Sequence, residues 1–159
     1  MKVKKTNAAR ILDELGIAYT LKEYKVDEEH LDALFVANEV GMPADQVFKT
    51  LCARGDKTGI LFGVIKGNGE LNLKALAKAS GNKRVEMVHL KEVQPLTGYI
   101  RGGVSPLGAK KEYPVYLDST AEQWPQIAVS AGHRGLQIII APPDLLKATR
   151  GSYFDNEER

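Results

Sequence analysis

The chain has 159 residues, 43% hydrophobic and 26% charged, which suits one globular domain able to bury a real core. Its 22 basic and 20 acidic residues leave a formal net charge of +2, too balanced for composition alone to announce a nucleic-acid binder. The single cysteine, Cys52, excludes an internal disulfide and points to a reducing compartment. No apolar run approaches the ~20 residues of a membrane helix, and "MKVKKTNAARILDELG" lacks the apolar stretch of a secretory signal, so a cytoplasmic protein with no membrane partner is expected.

The first predicted element is a helix in "TNAARILDELG", with Thr6 or Asn7 as N-cap, Ala8, Ile11, Leu12 and Leu15 at helical spacing, and Gly16 as the stop. "IAYTLKEYKV" alternates and reads as a strand. "HLDALFVANEVGMP" is a second helix closed by Gly41 and Pro43, followed by a helical turn through Ala44–Gln46. "KTLCARG" and "GILFGVIKG" are strands joined by a turn around Gly55–Gly59. "NLKALAKASG" is a helix capped by Asn72 and ended by Gly81. "VEMVHLKEVQPLTG" holds a short strand and one helical turn. "PVYLD", "IAVS" and "GLQIIIA" are further strands, and "PPDLLKATRG" is a last helix with proline just inside its start. There is no repeat and no linker. The short, hairpin-like strands predict a single α+β domain over 1–159, built on a curved, barrel-like mixed β-sheet with flanking helices, rather than a doubly wound parallel fold.

Common catalytic signatures are missing. His30, His89 and His133 have no metal-ligand spacing to one another or to Cys52, so neither metal nor cofactor is expected. There is no Gly-x-Ser-x-Gly turn, Walker loop or Gly-x-Gly-x-x-Gly. Three loops stand out instead. In "DQVFKTLCARG" a lysine, Lys49, enters an apolar strand, although desolvating an ammonium is costly. "TGYIRGGVSPLGAKK" carries the adjacent glycines Gly102 and Gly103, which let a backbone approach a ligand and present its N–H groups. "VSAGHRGLQI" places Ser130 at a strand end before a small-residue turn with His133 and Arg134. Taken separately, each is more often an ordinary turn, Lys49 more often a snorkelling side chain, and Cys52 a small core residue.

Together and in this order, the three segments resemble the YbaK/EbsC family of freestanding aminoacyl-tRNA deacylases. That family is related to the editing domain of prolyl-tRNA synthetase, and the resemblance is closest to its Cys-tRNA(Pro) deacylase branch. It extends through "KEYKVD" and "ELNLKALAKASGNKRVEM" and so over nearly the whole chain. It implies the mixed-sheet editing fold and hydrolytic removal of a wrong amino acid from the 3′ end of a tRNA. Such a site is needed because binding alone separates near-isosteric side chains by only about 1–3 kcal/mol.

Carried over motif by motif, the resemblance implies that Lys49, Gly102 and Ser130 are the catalytic group, with Tyr24, Thr50, Gly103, Ser105 and Gln137 binding substrate. Lys49 would hold the CCA-end phosphate or ester oxygens. The Gly102 and Gly103 N–H groups would face the carbonyl oxygen. Gln137 stands where an acidic residue is frequent, and His133 where lysine is. An amide both donates and accepts, whereas a carboxylate only accepts, so the amino-group contact differs here.

Among basic residues, Lys83, Arg84, Arg101, Lys110, Lys111 and Arg134 are candidates for phosphate contacts, with Arg101, Lys110 and Lys111 flanking the glycine loop. The partners implied are the 3′ end of tRNA(Pro) and prolyl-tRNA synthetase. No side chain is a convincing base or nucleophile, so the resemblance implies attack by the substrate's own thiol, or by water in proline-editing relatives. The alternatives are a water-using deacylase for another small amino acid, a Schiff-base enzyme with Lys49 as nucleophile, and a non-catalytic tRNA- or synthetase-binding module.

Overall fold

A computed structural model describes residues 5–27, 29 and 32–157. Thr6 caps α1 (Asn7–Glu14), its hydroxyl accepting the Ala9 N–H at 3.3 Å, and the helix buries Ala8, Ala9 and Leu12. Strand β1 is Thr20–Glu23, shorter than its alternating segment. Asp32 caps α2 (Ala33–Val40) by accepting the Phe35 N–H at 2.9 Å; His30 and Leu31, just before it, lie outside the described residues. A 3-10 turn over Ala44–Gln46 leads into β2 (Phe48–Gly55), which pairs antiparallel with β3 (Gly59–Lys66). Asn72 caps α3 (Leu73–Ser80), and β4 (Val85–Met87) follows.

Helix α4 (Leu90–Thr97) has eight residues rather than the single turn expected, and it carries Pro95 within it. Glu92 accepts the His89 N–H at 3.3 Å and so satisfies an orphan donor at the helix start. At the other end the Thr97 hydroxyl donates to the Val93 carbonyl at 2.7 Å. Next come β5 (Val115–Asp118), β6 (Ile127–Ser130), β7 (Leu136–Ile140), α5 (Pro142–Thr149) and β8 (Ser152–Phe154). β8 has no sequence signal of its own; it is three residues long and is set by parallel pairing with β5.

The strands form two sheets, ordered β1-β7-β6 and β4-β2-β3-β5-β8, the second of mixed direction. A parallel bridge between Val47 and Ala128 joins them edge to edge. The joined surface curves around the main core, where Phe48, Cys52, Phe62 and Val64 meet Ile127, Val129, Ile138 and Ile140, with Leu12 of α1 and Leu145 of α5. On the outer face α3 packs on Ala53, Leu61 and Ile65, and α2 packs on Val47, Ala128 and Ile139. The result is the single α+β domain the alternating pattern predicts. With β1 and β8 ending the strand order, the curve does not close into a barrel.

Candidate functional site

Strand β2 has two different neighbours on one edge. β3 holds one edge along its length, while β6 touches the other at Val47 and β4 takes it up at Ala53–Gly55. Between them, Phe48–Cys52 lines a cleft of about 730 Å³, within the range of small-molecule sites. The cleft is therefore the gap left where β6 and β4 diverge from one strand.

Period-2 alternation sorts the polar groups of this gap. Val47 faces α2, and Lys49, two residues on, shares its side of the strand. Ala128 and Ile139 also face α2, so Ser130 and Gln137, two residues from each, share that side as well. Lys49, Ser130 and Gln137 thus converge although 88 positions separate the first from the last. Thr50 lies on the opposite side with Phe48 and Cys52, towards the main core. Tyr24 joins the cleft because its N–H donates to the Gly135 carbonyl at 3.0 Å, just beyond the β1–β7 ladder.

Burial gives these groups their chemistry. Thr50, Ser130 and Gln137 are 7%, 8% and 5% exposed. The Thr50 hydroxyl and the Gln137 carbonyl oxygen have no hydrogen-bond partner among the described residues, a costly arrangement for buried polar atoms unless a ligand answers them. Ser130 is partly engaged, its Oγ accepting the Gly132 N–H at 3.1 Å. Burial lowers the Lys49 pKa, and the Glu70 carboxylate opposes that shift. Cys52 is buried, and desolvation pushes its thiol up to about 11, so it is an inert packing group at neutral pH.

The glycine loop is a tight turn. The Gly103 N–H donates to the Ile100 carbonyl at 2.9 Å, and Gly102 has φ +84°, the sign that a type II turn needs at its third residue. The Gly103 N–H is engaged within the turn, and only Gly102 of the pair lines the cleft. Gly103 is packed where a Cβ would come 3.0 Å from the His133 Cα. Ser105 is fully buried and does not line the cleft, and its Oγ accepts the Leu107 N–H at 3.3 Å. Tyr99 donates to the Leu107 carbonyl at 2.6 Å and lies against Gly132, which ties the second loop to the third.

Arg101 lines the cleft mouth, whereas Lys110, Lys111 and Arg134 do not line it. The far wall comes from residues that sequence reasoning passed over. These are Met87 of β4, Val88 just after it, Leu90 and Val93 of α4, the α2 cap Asp32, and Val36 of α2. Of these, Met87 and Leu90 are large apolar groups left 44% and 59% exposed. Among the described residues no group of three or more His, Cys, Asp or Glu could hold a metal ion, and no helix is long and apolar enough to cross a membrane.

Known proteins resemble this chain in sequence and fold. A family model described as an aminoacyl-tRNA editing domain matches residues 28–148. EbsC of Enterococcus faecalis (strain ATCC 700802 / V583), named a proposed Cys-tRNA(Pro)/Cys-tRNA(Cys) deacylase, is 50% identical over 152 residues, which cover 96% of this chain and 93% of that protein. A proline–tRNA ligase of Shouchella clausii (strain KSM-K16) is 32% identical over 127 residues, 79% of this chain but 22% of the ligase. Among solved structures, a proposed trans-editing enzyme for prolyl tRNA synthetase superposes with a TM-score of 0.84 at 25% identity, covering 98% of this chain and 100% of that one. With the family model spanning most of the chain and a relative half identical along nearly its whole length, this protein belongs to the aminoacyl-tRNA editing domain family.

Proposed function

We propose that the protein is a freestanding deacylase that removes cysteine mischarged onto tRNA(Pro). The observation that carries the reading is the set of desolvated polar groups on one cleft: Lys49 beside Ser130 and Gln137, with the orphaned Thr50 hydroxyl across from them. Membership of the editing family and 50% identity to a protein named for this activity support it. The Lys49 ammonium binds the terminal phosphate or the ester oxygens. The Gly102 N–H stabilises charge on the ester carbonyl oxygen. Gln137 and Ser130 orient the aminoacyl group, Thr50 supplies a further hydrogen bond, and Tyr24 closes the side of the cleft. Outside it, Arg101, Lys110 and Lys111 contact backbone phosphates. Prolyl-tRNA synthetase is the partner that delivers the substrate.

Cys52 is held protonated by burial, which argues against a protein thiolate as nucleophile. The attacking group is the substrate's own sulfur. The thiolate adds to the ester carbonyl, a C–S bond forms, the bond to the ribose 3′ oxygen breaks, and that oxygen takes up a proton. The products are a cyclic thiolactone and free tRNA. Orientation alone supplies several kcal/mol to such an intramolecular step.

A deacylation panel tests this. Cys-, Ser-, Ala- and Pro-tRNA(Pro) are compared, with and without prolyl-tRNA synthetase. Cys-tRNA(Pro) is cleaved much faster than Ser-tRNA(Pro), because at neutral pH a thiol with pKa about 8.5 is partly ionised and a hydroxyl is not. S-methylation of the cysteine stops cleavage and leaves binding. Comparable rates for Cys-, Ser- and Ala-tRNA overturn thiol attack. They favour the second reading, a water-using deacylase for another small amino acid, which the neutral Gln137 amide at the amino-group position motivates.

A further inference from the structure

In the sequence Arg134 reads as one more cation for tRNA phosphates. Its side chain does something more specific. Nε donates a hydrogen bond to the Arg101 carbonyl at 2.8 Å. Nε also lies over the adjacent glycine, 3.2 Å from where a Gly102 Cβ would stand.

The Arg101 carbonyl and the Gly102 N–H belong to the same peptide unit, which is planar and trans, so fixing the direction of one fixes the other. That unit is the central peptide of the Ile100–Gly103 turn. Type I and type II turns differ mainly by a flip of this central peptide, and glycine, free to take either sign of φ, does little to resist it. The turn is held in the conformation with Gly102 at φ +84°. We propose that Arg134 is a positioning residue: its Nε–H holds the Arg101 carbonyl, and thereby presents the Gly102 N–H to the reacting ester. The inference rests on the deacylase reading above.

Three observations support a clamp rather than a loose surface cation. Arg134 is itself placed by its neighbour, since His133 Nδ1 lies 2.8 Å from the Arg134 carbonyl. Gly103 abuts the His133 backbone, so the two loops meet at van der Waals distance and cannot slide freely. The donor is charged, and a charge-assisted bond to the carbonyl also polarises the peptide and strengthens the N–H at its other end.

The test uses side-chain connectivity. Glutamine carries its amide nitrogen the same number of bonds from Cβ as the arginine Nε, without charge. Lysine keeps the charge but has a methylene at that position. In single-turnover and steady-state deacylation of Cys-tRNA(Pro), Arg134→Ala and Arg134→Lys each lower kcat roughly 10- to 100-fold with little change in KM. Arg134→Gln recovers most of kcat but stays short of wild type, because its amide donor carries no charge. Amide hydrogen exchange across residues 100–104 quickens in the alanine and lysine variants and returns towards wild type in the glutamine variant. The opposite pattern, lysine active and glutamine raised in KM alone, overturns the clamp and assigns Arg134 to a phosphate. If the wild-type protein releases no amino acid from any tRNA in the panel, the deacylase reading fails, and the exchange pattern alone decides whether the clamp exists.

Discussion

Ser130 and Gln137 are partners across the β6–β7 ladder, so their side chains stand together on the face turned to α2, both more than nine-tenths buried. Nothing apolar is gained by placing a serine and a glutamine there. The Gln137 carbonyl oxygen is left without a partner among the described residues, as is the Thr50 hydroxyl at the same cleft. Sites that keep unsatisfied groups in this way trade stability for recognition.

Replacing the orphaned groups by apolar ones of similar shape separates the two effects. Thr50→Val and Gln137→Leu are expected to unfold at the same or higher urea concentration than wild type, because an unpartnered buried polar atom is removed. Deacylation falls about tenfold or more in each. Lower stability in both variants, measured by urea denaturation, would show that the two atoms are satisfied in solution.

Lys49→Ala is expected to abolish deacylation while circular dichroism and melting stay near wild type, since the lysine is half-buried and lies at the cleft. Retained turnover would remove Lys49 from the site.

The pH profile carries a sign. In the proposed mechanism Lys49 acts as its ammonium, and burial lowers its pKa, so activity is expected to be lost at a lower pH than an exposed lysine would allow. Glu70 raises that pKa. Glu70→Gln therefore moves the alkaline limb of kcat further down in pH, after subtraction of spontaneous ester hydrolysis. An unmoved limb would mean that another group sets it.

Burial pushes the Cys52 thiol up to about 11, so at pH 8 only about one molecule in a thousand is expected to carry the thiolate. Iodoacetamide is expected to label the folded protein far more slowly than the urea-unfolded chain, as followed by mass spectrometry. Cys52→Ser keeps near-wild-type deacylation. Rapid labelling coupled to inactivation would reopen a protein nucleophile.

A stability variant away from the cleft serves as a control. Asn82 accepts the Lys57 and Thr58 N–H groups at 2.8 and 3.0 Å, and so locks the β2–β3 turn. Asn82→Ala is expected to cost about 1–3 kcal/mol in urea denaturation, because it removes both hydrogen bonds to the turn backbone, and to leave kcat intact at 25 °C.

Local chemistry made much of this protein legible in its sequence. Thr6, Asn72, Gly41 and Gly81 bound their helices as cap residues do, because capping is settled within a few residues of the chain. The strands of β2, β3 and β7 followed from apolar runs between turn residues, and the three loops drew notice by their composition. Pairing, however, is a long-range property. Only the tertiary structure decided that β8 exists, that β6 and β4 part from β2 to open a cleft, and that this cleft gathers Lys49, Ser130 and Gln137. It also decided between residues the sequence treats alike. Gly102 lines the cleft and the Gly103 N–H closes a turn; Ser130 lies at the site and Ser105 is buried in a loop. The reason is physical. A side chain's chemistry is written in its type, but its access to a ligand depends on which backbone groups are already hydrogen-bonded and which face the core covers, and both are set by segments distant in sequence.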